Sequence, residues 1–267
     1  TQLVIAYASA FVEPAGDACD HYRRYPSDLD ILTELGFGAY RFSIEWSRIE
    51  PEDGEFSRNA LDHYRRMIDA CRENGVLPVV TYHHFTTPRW AASDGGWENP
   101  STAERFARFC ERASSHLGDG IGIHCTLNEP NVVALMGFYL GVFPPGTRDE
   151  GAMGKATDNL IRAHRLAYDA IKAGPRDAPV GMTLSMHEFA AEPGGDAQMA
   201  RARDRMEDVW LDACRGDDYV GVQTYTRLRF GPDGLLGPAE GVPALQMGYE
   251  VWPRALPTRP ARVWGAL

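Results

Sequence analysis

Ile121-Gly122-Ile123-His124-Cys125-Thr126-Leu127-Asn128-Glu129-Pro130 is the stretch on which the reading of the fold depends. Its apolar run reads as a strand over residues 121–127, and the run stops on an amide, a carboxylate and a proline. Pro130 disfavours the right-handed helical region for the residue before it, so Glu129 is expected in a turn at the C-terminal end of that strand. The pattern recurs on both sides. Residues 39–44, 77–82, 180–185 and 219–225 also read as strands. Residues 27–35, 57–73, 101–116, 155–173 and 198–214 alternate with them and carry helical spacing. Ser57 has the chemistry of an N-cap, and Gly36 and Gly75 that of helix stops. Such alternation predicts a parallel sheet with right-handed crossovers. A doubly wound sheet and a (β/α)8 barrel both satisfy it. The polar residues favour the barrel, because Glu45-Trp46, His83-His84, Asn128-Glu129, His187-Glu188 and Gln223 to Tyr225 all fall at expected strand ends. A barrel collects its site from many strand ends, whereas a doubly wound sheet uses one switch point. No glycine-rich phosphate loop follows any of the strands.

Bulk properties narrow the function classes. The chain has 267 residues, 44% hydrophobic and 24% charged, with a net charge of −10. That is globular composition without the basic face of a nucleic-acid binder. The densest basic spot, Arg201 to Arg205, interleaves Asp204 and reads as a solvated helix face. The five cysteines (Cys19, Cys71, Cys110, Cys125 and Cys214) are odd in number and lack the CxxC spacing. They are expected to be reduced thiols of a cytoplasmic protein, with no metal site. The N-terminal apolar run lacks the basic start of a signal peptide. No segment approaches the roughly 18–20 apolar residues that span a bilayer, so no membrane partner is expected.

Glu129 has the setting that glycoside hydrolysis requires. That chemistry uses two carboxyl groups, one to protonate the leaving oxygen and one to attack the anomeric carbon or activate water. The acid member must hold its proton near neutral pH, which a partly dry, apolar setting favours. Glu129 follows an apolar strand directly, and Asn128 beside it can hydrogen-bond a sugar hydroxyl. Asn-Glu-Pro alone also suits a simple helix-entry turn, so the surrounding segments decide.

Those segments resemble glycoside hydrolase family 1, the β-glucosidase-like family, over about residues 13–253. Tyr40 to Ile49 (YRFSIEWSRI) resembles its second-strand motif and Asp62 to Asp69 the helix after it. His84 to Trp90 (HFTTPRW) resembles the third-strand motif, and Gly95-Gly96-Trp97 the loop that follows. Thr126-Leu127-Asn128-Glu129-Pro130 resembles the fourth-strand signature, and Gly141 to Gly146 (GVFPPG) the next loop. Val222 to Arg227 (VQTYTR) resembles the sixth-strand motif. Met247-Gly248-Tyr249-Glu250-Val251 resembles the segment leading toward strand seven. The resemblance implies an α/β fold of the (β/α)8 TIM-barrel type, incomplete, with about six of eight βα units. It also implies a retaining β-glycosidase that uses no cofactor. It makes Glu129 the acid/base, Asn128 the contact to the sugar 2-hydroxyl, and His84 a ligand of another hydroxyl, with His83 supporting. Arg41 would hold the nucleophile ionised, since a nearby cation favours the charged carboxylate. Tyr225 would hydrogen-bond that nucleophile, and Trp97 and Trp90 would either stack on sugar faces or pack in the core. Gln223 stands where the family usually has Asn. The substrate would be a β-glycoside or oligosaccharide.

Two family features are missing. The Gln-x-Glu-Gly motif after the first strand does not occur; Gln2 lacks its context, and residues 3–8 are expected as a stand-in strand. No Glu-Asn-Gly nucleophile motif follows Val251. The chain therefore reads as one barrel domain over residues 1–267, atypical at 1–12 and 254–267. Glu45 and Glu188 are the substitute carboxylates to consider. Open sheet edges are seldom left bare, and pairing with a second copy would cover them. The alternative function is an inactive carbohydrate-binding or assembly barrel without a nucleophile.

Overall fold

The computed structural model describes residues 16–258. The expected strand over residues 3–8 and the end of the chain beyond residue 258 lie outside the described residues. The strands β1 (Ala39–Ser43), β2 (Leu77–His83), β3 (Ile123–Asn128), β4 (Val180–Ala191), β5 (Tyr219–Gly231) and β6 (Gly234–Leu235) form one sheet in sequential order, β1 to β6. β1 and β2 pair in parallel, as do β2 and β3. A doubly wound sheet reverses its order at a switch point. None occurs here, and the fold class is that of an incomplete (β/α)8 barrel. The short β6 is an antiparallel hairpin partner of β5 rather than a βα unit.

The chain groups into two compact units, Pro14–Asn128 with Gly154–Met182, and Glu129–Met153 with Thr183–Leu267. In the first, the helix Arg58–Glu73 buries Ala60, Leu61, Tyr64, Met67, Ile68 and Cys71. Their three- and four-residue spacing is a single apolar stripe. Ser57 caps this helix, its hydroxyl accepting the Ala60 N–H at 3.2 Å, and Gly75 leaves it at φ +71°. Replacing Ser57 by Ala is expected to cost about 1 kcal/mol in urea unfolding. The core centres on Trp46, which is 1% exposed and packs against Trp90, Trp97, Phe106 and Phe109. Fully buried Glu50 ties this cluster to the loop beside it. It accepts the Trp46 indole N–H at 2.8 Å and the Gly54 N–H at 2.8 Å, and pairs with Arg108.

Two buried histidines of this unit titrate abnormally. Burial, reinforced by His84, pushes His83 down to about 3. Burial, with Arg176 and Lys172, pushes His124 down to about 4. Both fold neutral, so below the ordinary histidine pKa of about 6.5 the unfolded chain binds more protons than the folded one. Their stabilising contribution is complete above that pH and declines toward pH 4. The expected slope for the pair reaches about 2.7 kcal/mol per pH unit, at about 1.36 each. Urea midpoints between pH 7 and 4.5 check it, and His124→Gln should reduce the slope by about half.

In the second unit the strands run longer than the sequence patterning suggests. β4 continues to Ala191 and β5 to Gly231. Cross-strand contacts sustain the extension: Glu192 N–H donates to the Phe230 carbonyl at 2.8 Å, Arg229 pairs with Glu192, and Phe189 stacks on Phe230. His187, Glu188, Gln223 and Tyr225 thus sit within strands, not past their ends. The helix expected over 198–214 is also interrupted. It runs Asp196–Arg203, widens over Asp204–Asp208 and resumes at Val209–Ala213. The wide turn carries Glu207, fully buried, whose carboxylate accepts the His187 N–H at 2.6 Å. A π-type turn in a helix commonly marks such a specially aimed side chain.

Candidate active site

Glu129 adopts a left-handed backbone, φ 46° and ψ 55°. That conformation is uncommon for a residue with a side chain, and the following proline makes it more so. Outside the right-handed helical region, as Pro130 led the sequence reading to expect, the residue turns left-handed. Its N–H is fixed to the Thr183 carbonyl of β4 at 2.8 Å. Strain of this kind persists only where the surroundings fix it, and it concentrates at functional sites. Glu129 is 7% exposed. Gln223 of β5 donates its amide N–H to Glu129 Oε1 at 2.5 Å, and the Tyr225 hydroxyl lies 3.5 Å from the same oxygen. The surroundings of Glu129 are therefore buried but polar, where the sequence suggested a partly dry, apolar setting. Burial, followed by the Glu129 charge, raises the Tyr225 phenol above its usual range.

Tyr225 and Arg41, expected beside the nucleophile, have other partners among the described residues. Tyr225 and Gln223 reach Glu129. Arg41 donates to Asn128 Oδ1 at 2.7 Å and to the Thr81 hydroxyl at 2.9 Å, on β3 and β2 respectively. The Asn128 amide nitrogen is 3.3 Å from His84 Nε2. With the amide donating, His84 carries its proton on Nδ1 and is neutral. Burial and the Arg41 charge both push the His84 pKa down, which keeps it so. Three of the expected residues thus form one hydrogen-bonded row, Arg41 to Asn128 to His84.

The tryptophans correct an expectation. Trp97 is 3% exposed, wedged against Trp46, His83 and Phe106, and therefore packs in the core rather than offering a face to a sugar. Trp90 donates to the Glu50 carbonyl at 2.9 Å and lies under the Arg105 guanidinium. His83 is 2% exposed, with its Nε2 3.5 Å from the Thr87 hydroxyl and its ring edge-on to Trp97. The substitute carboxylates are occupied. Glu45 accepts from Ser47 at 2.8 Å and Thr86 at 2.9 Å, and Glu188 accepts the Trp252 indole N–H at 3.0 Å. Sequence reasoning missed Thr81, which braces Arg41, and Phe85. Phe85 stands at φ 70° with its ring edge-on to His84 at 4.9 Å. A strained φ on an aromatic residue leaves no sequence signal. Among the described residues no group of three or more His, Cys, Asp or Glu could hold a metal ion.

Comparison with known proteins agrees with these motifs. Residues 9–227 match the model of Glycosyl hydrolase family 1. "Beta-glucosidase A" of Acetivibrio thermocellus is 37% identical over 196 residues, which is 72% of this chain and 44% of the relative. "Beta-glucosidase A" of Thermotoga maritima is 32% identical over 281 residues, covering 90% of this chain and 62% of the relative. "Cytosolic beta-glucosidase" of Homo sapiens is 36% identical over 188 residues, covering 68% of this chain and 40% of the relative. The crystal structure of beta-glycosidase BGL167 superposes with a TM-score of 0.88 at 41% identity, covering 99% of this chain and 70% of that one. The T. maritima beta-glucosidase in complex with noeuromycin superposes with a TM-score of 0.83 at 30% identity, covering 92% and 64%. The chain thus spans between 40% and 62% of the length of these curated relatives. By its family match and its ordered motifs, the chain belongs to glycosyl hydrolase family 1.

Proposed function

We propose that this chain carries the acid/base half of a retaining β-glycosidase site, with Glu129 as the acid/base. The observation that carries the reading is the Glu129 geometry: a strained left-handed carboxylate, 7% exposed, with Gln223 and Tyr225 on one oxygen. In the first step Glu129 would protonate the leaving oxygen while a second carboxylate attacks the anomeric carbon. In the second it would take a proton from water. Asn128 and His84 would bind hydroxyls of the sugar. Arg41 would fix the Asn128 carboxamide so that its amide group keeps one orientation. A hydrogen bond to the 2-hydroxyl strengthens in the transition state only if its partner is already held. The substrate class is a β-glucoside or related β-glycoside. The five cysteines form no disulfide, which together with the likeness to a cytosolic human relative supports a reducing, cytoplasmic setting.

No Glu-Asn-Gly tripeptide follows Val251 in these 267 residues, which suggests the experiment. If only the nucleophile is lacking, a small external carboxylate can replace it. Formate attacks the anomeric carbon, the bond from that carbon to the glycosidic oxygen breaks, and the leaving oxygen takes the Glu129 proton to depart as phenol. The glycosyl formate is then hydrolysed by water. Phenyl β-glucoside should be turned over by the 267-residue chain in molar formate and scarcely at all in chloride. The engagement of Glu45 and Glu188 by other side chains favours a second reading, a sugar-binding barrel without turnover. Calorimetric binding of glucose with no formate-dependent release of phenol would establish that instead.

A further inference from the structure

The segment after β5 is fastened at several points and reaches the site through one ring. Residues 243–251 form a small hairpin. Leu245 N–H donates to the Tyr249 carbonyl at 2.8 Å, Val251 N–H to the Pro243 carbonyl at 2.8 Å, and Gly248 takes the corner at φ +80°. Glu250 anchors it. Its side chain is 4% exposed and accepts the Ala239 N–H at 2.6 Å, while its backbone carbonyl accepts the Thr226 hydroxyl at 2.9 Å. Arg227 pairs with the same carboxylate, and Arg229 lies 3.8 Å from it. Burial pushes the Glu250 carboxyl up, but Arg227, the Ala239 N–H and Arg229 outweigh this and leave it below its ordinary range. The Arg227 guanidinium also covers the Trp252 ring at 3.7 Å, and Trp252 is tied to Glu188 of β4. A buried carboxylate is tolerated only when paired, and truncating it would leave Arg227 and the Ala239 N–H without their acceptor. The hairpin is therefore fixed in place.

Its fixed position matters because Tyr249 stacks on Tyr225, with ring centroids 6.5 Å apart and planes 24° apart. Tyr225 is 51% exposed, and its hydroxyl reaches Glu129 only at 3.5 Å. A half-exposed ring held at its hydroxyl by Gln223 and by so long a contact to Glu129 gains orientation from a second ring stacked on its face. We propose that Glu250 and Tyr249 are positioning residues: Glu250 pins the hairpin to β5, and Tyr249 holds the Tyr225 hydroxyl toward Glu129. The catalytic value of this arrangement rests on Glu129 being the acid/base, but the arrangement can be tested without turnover.

The test follows the 13Cζ resonance of Tyr225 in tyrosine-labelled full chain from pH 8 to pH 4. The resonance is assigned by its loss in Tyr225→Phe. Protonation of a carboxylate beside the hydroxyl should give an inflection in that shift, absent in Glu129→Gln. The inflection is expected to persist in Tyr249→Phe, which keeps the stacked ring, and to vanish in Tyr249→Ala and Glu250→Ala. An inflection of unchanged amplitude in Tyr249→Ala, or none in the parent chain, would overturn the proposal. Tyr249 is half-buried on a surface hairpin, so its two variants decide the matter even if Glu250→Ala fails to fold. Should Glu129→Gln later prove not to affect turnover, the catalytic reading would fall while this result stood.

Discussion

Glu129→Gln is expected to lower formate-assisted hydrolysis of phenyl β-glucoside by about 10²–10⁴-fold, the usual contribution of a positioned general acid. The substitution nearly preserves shape but removes the transferable proton. It also puts an amide opposite the Gln223 amide, which donates to Glu129 Oε1 at 2.5 Å. The new side chain can rotate its carbonyl toward Gln223, so the fold should persist while the chemistry is lost. The loss should fall mainly in kcat, because the proton moves in the transition state and substrate binding does not depend on it. An unchanged rate in folded Glu129→Gln would remove Glu129 from the mechanism.

Trp46→Ala is expected to cost about 3–5 kcal/mol of stability, the range for deleting a large buried aromatic side chain. The indole is 1% exposed and touches four other aromatic rings, so its removal opens a cavity among rigid neighbours with little means of collapsing. It also deprives fully buried Glu50 of the indole N–H it accepts at 2.8 Å. Urea unfolding should show a lower midpoint at unchanged slope. A cost below about 1 kcal/mol, typical of surface substitutions, would mean that this cluster does not organise the unit.

The sequence made legible whatever depends on local pattern. The helix Arg58–Glu73 was readable from its stripe and from Ser57, and Gly75 marked its end, because caps and periodicity are encoded within a few residues. The end of β3 and the placing of Glu129 in a turn beyond it followed from one apolar run and one proline. The family motifs brought out Arg41, His84 and Asn128, and these residues do lie in one hydrogen-bonded row. The lengths of β4 and β5 were not readable, since the contacts that extend them, such as Phe189 on Phe230, join residues far apart in the chain. Nor was the break in the helix near Glu207, whose buried carboxylate accepts the His187 N–H from a strand twenty residues earlier. Trp97 shows a different limit. A tryptophan in a motif loop reads equally as a sugar platform or as core, and only its burial against Trp46 and Phe106 separates the two. The left-handed turns at Phe85 and Glu129 are likewise imposed by tertiary contacts, not by their residue types.

Leaving-group dependence tests most directly whether Glu129 donates the proton. A poor leaving group such as phenoxide needs that proton, whereas 2,4-dinitrophenoxide departs without it. The ratio of parent to Glu129→Gln turnover in formate should therefore fall from about 10²–10⁴ for phenyl β-glucoside to near one for the 2,4-dinitrophenyl substrate. The same ratio for both substrates would mean that Glu129 acts through structure or binding, and not as the acid.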